Sequence, residues 1–191
     1  MFDPTGCSPE QLVRNFDLND ALQPVLRDEK EVEIGAGIGS LKKVFRSGDV
    51  VISRLRAYLR EIAVVRTSPT ILSVGSSEFI VLRQQENPLI DISSETLFTF
   101  LRSAAVQTIL KWCQDGSQHP RFSEDDLLSI PVPDAVAEAS PEIQSIVEEG
   151  FAMRQGAQVL LDEAKTAVDI AIEKNEGMAL RYLDQVKSTK K

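Results

Sequence analysis

The chain has 191 residues, of which 42% are hydrophobic, and a formal net charge of −8 at pH 7. This length and composition allow one well-buried core with one appended element. No stretch approaches the roughly 18 apolar residues needed to span a bilayer. The first five residues lack the basic start and apolar run of a signal peptide. We therefore expect a cytoplasmic protein with no membrane partner.

The cysteines and the single histidine limit the chemistry available to the chain. Cys7 and Cys113 are far apart and in no metal-ligand spacing, which argues against a disulfide framework and a zinc site. His119 could pair with Cys113 as a nucleophile, but Cys113 ends an amphipathic helix, where a thiol usually packs. The glycine-rich residues 35–39 lack the Lys-Ser/Thr that closes a phosphate-binding loop. We expect no catalytic residues, no metal and no cofactor.

Charge is distributed unevenly along the chain. Residues 41–66 carry a local net charge of +5, whereas residues 1–40, 67–133 and 134–191 carry −5, −4 and −4. The basic side chains of this segment are Lys42, Lys43, Arg46, Arg54, Arg56, Arg60 and Arg66. Because salt screens charges beyond about 8 to 10 Å, a local basic patch on an acidic chain can bind DNA phosphates. The alternative is that these side chains are solvated strand and helix faces.

Short elements are predicted over the first 83 residues. A helix is predicted over residues 9–16 with Ser8 as its cap, then a strand over 31–34 and an amphipathic turn over 41–45. After the turn signal Gly48-Asp49, alternating or continuous apolar residues predict strands at 50–52, 62–65, 71–74 and 79–82. The arginine-rich residues 53–60 follow the first of these strands.

Helices are predicted to dominate the second half of the chain. One helix, capped by Ser94, is expected over residues 95–112 and should pack on the sheet. The side chains expected to face the sheet are Leu97, Phe98, Leu101, Ala105, Ile109 and Trp112. Residues 116–121 form a predicted loop, Ser123 caps a short helix over 124–128, and residues 130–133 are extended because each proline disfavours helix before it.

A long helix is predicted from Ser140 to about residue 174, or to 187 if Gly177 is tolerated. It carries an apolar row at heptad spacing: Ile146, Met153, Leu160 and Ala167. A second row contains only small residues: Gly150, Ala157, Ala164 and Ala171. Small side chains let another helix approach closely, so these rows predict a coiled-coil dimerisation helix, and roughly 45 Å of helix outruns a domain of this size. The alternative is a helix that folds back on its own sheet.

Three stretches together resemble the specificity subunits of type I restriction-modification systems. They are Gly-Asp with its strand and arginine-rich continuation (residues 48–60), the segment Ser-Ser-Glu-Phe-Ile-Val-Leu-Arg (76–83), and residues 116–133. Each stretch alone is weak, and their order and spacing carry the resemblance, which covers residues 41 to about 175. Residues 1–40 depart from the family, because they lack its glycine-rich entry motif.

The resemblance implies an α/β (mixed α+β) target-recognition domain over residues 1–135, with a twisted mixed β-sheet and packed helices. It also implies a spacer helix over 140–187. In the family, two such domains each read half of a split DNA target, while methyltransferase subunits supply catalysis and S-adenosylmethionine and connect to the restriction subunit. Only one copy is present here, so the chain is expected to be either a half-subunit that forms a homodimer through its long helix or a fragment of a longer chain.

Eight residues are candidate contacts to double-stranded DNA: Lys42, Lys43, Arg54, Arg56, Tyr58, Arg60, His119 and Arg121. If residues 53–60 are extended, Arg54, Arg56 and Tyr58 share one face, and arginine can bind guanine bidentately or clamp phosphate. Arg121 could equally be a loop arginine with a structural partner. Two other functions stay open: a protein-interaction module acting through the long helix, and a recognition domain cut from a fused restriction-methylation enzyme.

Overall fold

The computed structural model describes residues 1–86, 88, 90–116 and 118–189 of the chain. These residues form two compact units, Met1–Val147 and Glu148–Lys191. The first unit contains all the strands of the described residues, four short α-helices and the first turns of the long helix that begins at Ser140, and the second contains helices alone. Among the described residues, no helix is both long and apolar enough to cross a bilayer.

Eight strands of the first unit form two mixed four-stranded sheets. The strands are β1 Leu12–Phe16, β2 Val25–Arg27, β3 Val32–Ile34, β4 Lys43–Phe45, β5 Val50–Ser53, β6 Ile62–Arg66, β7 Leu72–Gly75 and β8 Phe79–Leu82. The first sheet has the order β3-β1-β7-β4 and the second β2-β6-β5-β8. Strand β1 is parallel to β7 and β2 is parallel to β6, while the other pairs are antiparallel. The predicted mixed α/β class is confirmed, with two sheets where one was expected.

Two predictions for the first 45 residues are wrong. The helix expected over residues 9–16 is strand β1, and the carbonyl of its supposed cap Ser8 instead accepts the Gln11 N–H in a turn. The amphipathic turn expected over 41–45 is strand β4. Both segments pair with β7, so remote backbone partners override their weak local preferences.

An aromatic cluster fills the space between the two sheets. Phe45 of β4 lies against Phe16 of β1, with ring centroids 6.2 Å apart, and meets the edge of Phe79 of β8 at 5.6 Å. The cluster also contains Val51, Ala63 and Val65 of the second sheet. Gly75 is required here, because a Cβ at this position would lie 2.2 Å from the Phe45 ring. This core therefore fixes the positions of β5 and β8, and with them the points at which the segment after β5 and the segment before β8 leave the sheet.

The Gly-Asp signal has a structural role at the start of β5. Gly48 has φ +90, a left-handed conformation that suits glycine. The Asp49 carboxylate is 1% exposed, accepts the Arg46 N–H at 2.7 Å, and accepts two hydrogen bonds from the Arg83 guanidinium at 2.7 and 2.6 Å. The hydrogen bond to Asp49 raises the pKa of Arg83. This pair ties the start of β5 to the end of β8.

The helix predicted over residues 95–112 is interrupted. Its two parts are α1 Ser94–Arg102, capped by Ser93, and α2 Ala104–Trp112, capped by Ser103. Ser103 has an extended backbone that turns α2 relative to α1, so the apolar row predicted as one face does not stay on one face. Phe98 and Leu101 are buried as expected, and Leu97 is half-buried, but Ala105, Ile109 and Trp112 are exposed. Val106 and Leu110 take their place in the core.

Two of the later helices begin where the sequence predicts, and a short helix that was not predicted lies between them. Helix α3 Glu124–Leu128 starts at the Ser123 cap, followed by α4 Asp134–Glu138. Helix α5 Ser140–Glu173 starts at Ser140, whose hydroxyl accepts the Ser93 N–H at 3.1 Å and is 2.9 Å from the Thr96 hydroxyl. A break at residues 174–175 separates it from α6 Glu176–Thr189, as expected for a helix that ends at about residue 174.

In the second unit, α6 folds back along α5. The Tyr182 hydroxyl donates to the Glu163 carboxylate, although 19 residues of continuous helix would separate them by roughly 28 Å. This hydrogen bond also raises the pKa of Tyr182. Ala167 of α5 and Ala179 of α6 are both buried. The other members of the two predicted dimer rows are more open: Ile146, Met153, Ala157, Leu160, Ala164 and Ala171 are exposed, and Gly150 is half-buried.

Candidate nucleic-acid interface

The three stretches that carry the family resemblance meet at one end of the second sheet. Immediately after β5, the Arg54 N–H donates to the Glu78 carbonyl at 3.0 Å. The Arg56 N–H donates to the Pro120 carbonyl at 2.9 Å, and the Phe122 N–H donates to the Arg54 carbonyl at 3.2 Å. The backbone thus joins three segments that are remote in sequence into one continuous surface.

A single carboxylate holds two of the candidate arginines. Glu78 accepts from Arg54 Nε at 2.9 Å and from Arg121 Nη2 at 2.8 Å. These hydrogen bonds, that from Arg121 first, lower the pKa of Glu78 to about 2 against its desolvation. The side chains of Arg54 and Arg121 remain 40% and 43% exposed. Arg121 therefore has the structural partner that the sequence analysis left as an alternative. Both arginines still face solvent, and Arg54, Arg121 and Glu78 together carry a net charge of +1.

The shared carboxylate predicts a specific acid sensitivity. Because the folded pKa of Glu78 lies below its ordinary value of 4.5, its ion pairs contribute their full stabilisation at pH values above about 4.5. This stabilisation is lost as pH falls from about 4.5 towards 2, and it amounts to about 1–2 kcal/mol once the solvent-exposed arginines are allowed for. Urea unfolding at a series of pH values should show a smaller acid loss in Glu78→Gln than in the wild type. Equal acid losses in both proteins would contradict the Glu78 assignment.

The arginine-rich segment is a turn and not the extended ribbon that the sequence suggested. Arg56 and Arg60 have φ 50 and φ 53, and they flank a 3-10 turn over Ala57–Leu59. The chain leaves the sheet at Ser53, whose hydroxyl accepts the Leu55 N–H. Arg54 and Arg56 therefore do not alternate along a strand. Left-handed backbone at a residue with a Cβ costs roughly 1–2 kcal/mol, and such strain is concentrated at functional sites.

This turn presents two side chains to solvent from an anchored backbone. Ala57 is buried, the Arg60 N–H donates to its carbonyl at 2.9 Å, and Arg102 of α1 donates to the Arg60 carbonyl at 3.1 Å. The Tyr58 side chain is 61% exposed, and Arg60 is also exposed. A phenol ring and a guanidinium group thus project from a fixed position.

A polar cavity of about 380 Å³ lies beside the turn. It is lined by Asp17, Leu18, Asn19, Lys42, Leu55, Arg56, Leu59, Glu61 and Ser76. Glu61 is 4% exposed, and neither its Oε2 nor the buried Nε of Arg56 has a hydrogen-bond partner among the described residues. Lys42 and Arg56 thus both line this cavity.

The remaining candidates are placed differently. Lys43 lines another cavity, with Val44 and Arg46, and its ammonium group lies 3.4 Å from a Glu124 carboxylate oxygen. His119 is exposed, and its carbonyl accepts from Arg121 Nη1 at 3.0 Å. The structure thus brings together Lys42, Arg54, Arg56, Tyr58, Arg60, His119 and Arg121. It places Lys43 on a separate cavity.

Sequence reasoning missed Glu78, the residue that organises the arginines. The signal was present in the pairing of β5 with β8, because Ser53 opposite Phe79 places Arg54 beside Glu78. From this strand register, Glu78 of the second stretch could have been matched to Arg54 of the first. Among the described residues, no cluster of three or more histidine, cysteine, aspartate or glutamate side chains could hold a metal ion.

Comparison with known proteins adds a structural match. The sequence matches no protein-family model and no curated protein. The fold is similar to the HsdS subunit from Thermoanaerobacter tengcongensis, with a TM-score of 0.59 and 25% identity over 90% of this chain. It is also similar to a chain solved in work on "complex assembly and conformational transition of the type I R-M system", with a TM-score of 0.60 and 24% identity over 89% of this chain.

The match fixes the class of architecture. In both comparisons this chain covers 43% of the other chain, so it spans less than half of their length. The fold is therefore that of about one half of a type I restriction-modification HsdS subunit. The resemblance first noted in three short stretches extends over about 90% of the chain in three dimensions.

Proposed function

We propose that the chain is a DNA-recognition module that directs a type I restriction-modification methyltransferase and endonuclease complex to one half of its target sequence. The observation that carries this proposal is the convergence of the three family-like stretches into one arginine-lined surface on an HsdS-like fold. The similarity to HsdS chains supports a role in target recognition. The surface supplies the chemistry that recognition needs.

The charges on this surface suit the DNA backbone. Glu78 fixes Arg54 and Arg121 while leaving each guanidinium partly exposed, so a phosphate meets donors whose orientation is already set. The pre-ordered arrangement lowers the entropy lost on binding. Tyr58 and Arg60 project from the neighbouring turn and can reach a groove or the adjoining backbone.

Catalysis belongs to other subunits in this proposal. The chain would contribute no catalytic residue and no cofactor, and the methyltransferase subunits would bind S-adenosylmethionine and connect to the restriction subunit. The recognition domain would comprise residues 1–135 and the spacer helix residues 140–187. The complex would act in the cytoplasm, where it meets the DNA.

The long helix would pair two copies of the chain. The exposed side chains of its predicted rows include Ile146, Met153 and Leu160, which are costly to leave in water. Two copies would together match most of the length of one HsdS chain. A two-fold dimer would read two inverted half-sites separated by a fixed spacer.

Binding to labelled duplexes tests the proposal. Fluorescence anisotropy is measured with fluorescein-labelled duplexes of randomised sequence, with and without the methyltransferase subunit. We expect tighter binding to a subset of sequences and an affinity that falls steeply with salt, because phosphate contacts release counterions. Affinity that ignores both sequence and salt, with the methyltransferase present, would contradict the proposal.

A second candidate function is a protein-interaction module that acts through the long helix. The exposed apolar residues of α5, which also include Val168 and Ile172, favour this alternative. Charge reversal at Arg54 and Arg56 separates the two functions when the oligomeric state is followed by size exclusion with light scattering. If the chain is a DNA-recognition module, these variants should lose DNA binding while remaining dimeric. A monomer would count against the half-subunit form, and a catalytic domain beside this chain in its parent gene would indicate a fused enzyme.

A further inference from the structure

Trp112 is unusually exposed for a tryptophan in a folded unit. It is the last residue of α2 and is 83% exposed. The helix packs through Val106 and Leu110, which are 1% and 0% exposed, and so does not need the indole for its own burial. Tryptophan is seldom left in water without a partner, because its ring offers one of the largest apolar surfaces of any side chain.

The position of Trp112 connects it to the arginine-lined surface. Two residues later, Gln114 Nε2 donates to the Pro120 carbonyl at 3.3 Å. Three residues later, Asp115 exchanges two backbone hydrogen bonds with Arg121, both of 2.9 Å. Three residues span at most about 11 Å, and a hydrogen-bonded pair adds about 5.5 Å between Cα atoms, so the Trp112 backbone lies within about 16 Å of that of Arg121. Helix α2 also packs against the turn over Ala57–Leu59.

The surroundings of the indole favour nucleic acid over a protein partner. On the exposed face of α2, Trp112 has the polar neighbours Thr108 and Lys111, and Ile109 is the apolar side chain one turn before it. A protein-docking site would call for a broader apolar patch. A flat, exposed aromatic ring next to Lys111 in the chain, on a helix that packs against the turn carrying Tyr58, suits stacking on a base or packing on a sugar.

We propose that Trp112 contacts DNA at the edge of the arginine-lined surface, with its ring packed on a base or a deoxyribose. This inference rests on the proposed function and adds an aromatic contact to it. The contact would contribute affinity without charge, in contrast to the arginines. It would also explain why an apolar residue that the sequence pattern assigns to the core lies in solvent.

The chain contains one tryptophan, so its emission, excited at the long-wavelength edge of the absorption band where the two tyrosines absorb little, reports on this residue. The full chain is titrated with the randomised duplex pool, and acrylamide quenching of the indole is measured in parallel with the anisotropy of labelled duplex. We expect quenched emission and a lower acrylamide quenching constant, both saturating with the anisotropy signal. With the methyltransferase subunit added in place of DNA, the difference between the wild type and Trp112→Phe cancels the emission of the subunit's own tryptophans, and this difference should be unchanged.

Two substitutions separate a contact from a bystander. Trp112→Ala should weaken DNA binding by about 5- to 150-fold, the range expected for loss of one stacked ring, and Trp112→Phe should recover part of that loss. Neither should change the slope of log affinity against log salt, since no charge is removed. Both should keep the wild-type unfolding midpoint, because the side chain is exposed.

The outcomes are distinguishable from failure of the proposed function. If labelled duplex binds while the indole stays quenchable and Trp112→Ala binds like the wild type, the Trp112 contact is wrong and DNA recognition stands. If the difference in emission between the wild type and Trp112→Phe responds to the methyltransferase subunit and not to DNA, Trp112 belongs to a protein interface and this inference is overturned. If no duplex binds under any condition, both proposals fail.

Discussion

Reversing the charges of Arg56 and Arg60 together is expected to weaken DNA binding by about 30-fold or more. Each arginine replaced removes a phosphate or base contact, and each glutamate introduced repels the backbone. The slope of log affinity against log salt should become shallower by about 2. Arg56 lines a cavity with the buried carboxylate of Glu61, where a second carboxylate would be repelled, so the unfolding midpoint of this variant is measured first. If the fold is lost, Arg56→Gln with Arg60→Glu takes its place, with a smaller expected change in affinity.

A matched control distinguishes a local site from a general charge effect. Arg27→Glu with Arg46→Glu makes the same change in net charge at the other end of the second sheet. Arg27 lies opposite Arg66 in the register of β2 and β6, and Arg46 lies just before the start of β5, next to Asp49. Arg54, in contrast, follows the other end of β5. The control should retain most of its affinity. If both doubles lose affinity equally, net charge and not this surface governs binding.

Replacing Arg83 with glutamine is expected to give the largest loss of stability. The Asp49 carboxylate would remain buried with only the Arg46 N–H as a partner, at a cost of about 2–3 kcal/mol after allowance for the partial exposure of Arg83. Guanidinium unfolding followed by circular dichroism measures this change in the free energy of unfolding.

The double variant Asp49→Asn with Arg83→Gln is the control for that loss. It removes the buried charge together with its partner, so it should be more stable than Arg83→Gln alone. A loss below about 0.5 kcal/mol in Arg83→Gln would show that the pair does not hold the start of β5. In that case the Gly-Asp signal would need another explanation.

The strands after Gly48 could be predicted because their apolar runs agree with their final burial. Strands β5, β6, β7 and β8 lie within one or two residues of the predicted segments. Strand β1 could not be predicted in this way. Its parallel partner β7 lies about sixty residues later in the chain, and nothing in residues 12–16 themselves indicates that they pair with so remote a strand.

The candidate site was predictable in its membership more than in its geometry. The three stretches that carry the family resemblance meet in the fold, which the sequence alone did not predict. The left-handed backbone at Arg56 and Arg60 had no sequence signal, since glycine or asparagine usually marks such positions. The break at Ser103 was also hidden inside a continuous amphipathic pattern, and it leaves Trp112 in solvent.

Selection of duplexes from a randomised pool tests the central claim most directly. The chain, bound to its methyltransferase subunit, is used to capture DNA over several rounds, and the retained duplexes are sequenced. We predict enrichment of a short motif, repeated in inverted orientation if two copies pair, and no enrichment with the folded Arg56→Glu, Arg60→Glu protein. A wild-type pool that stays random, or a variant that enriches the same motif, would contradict sequence reading by this surface.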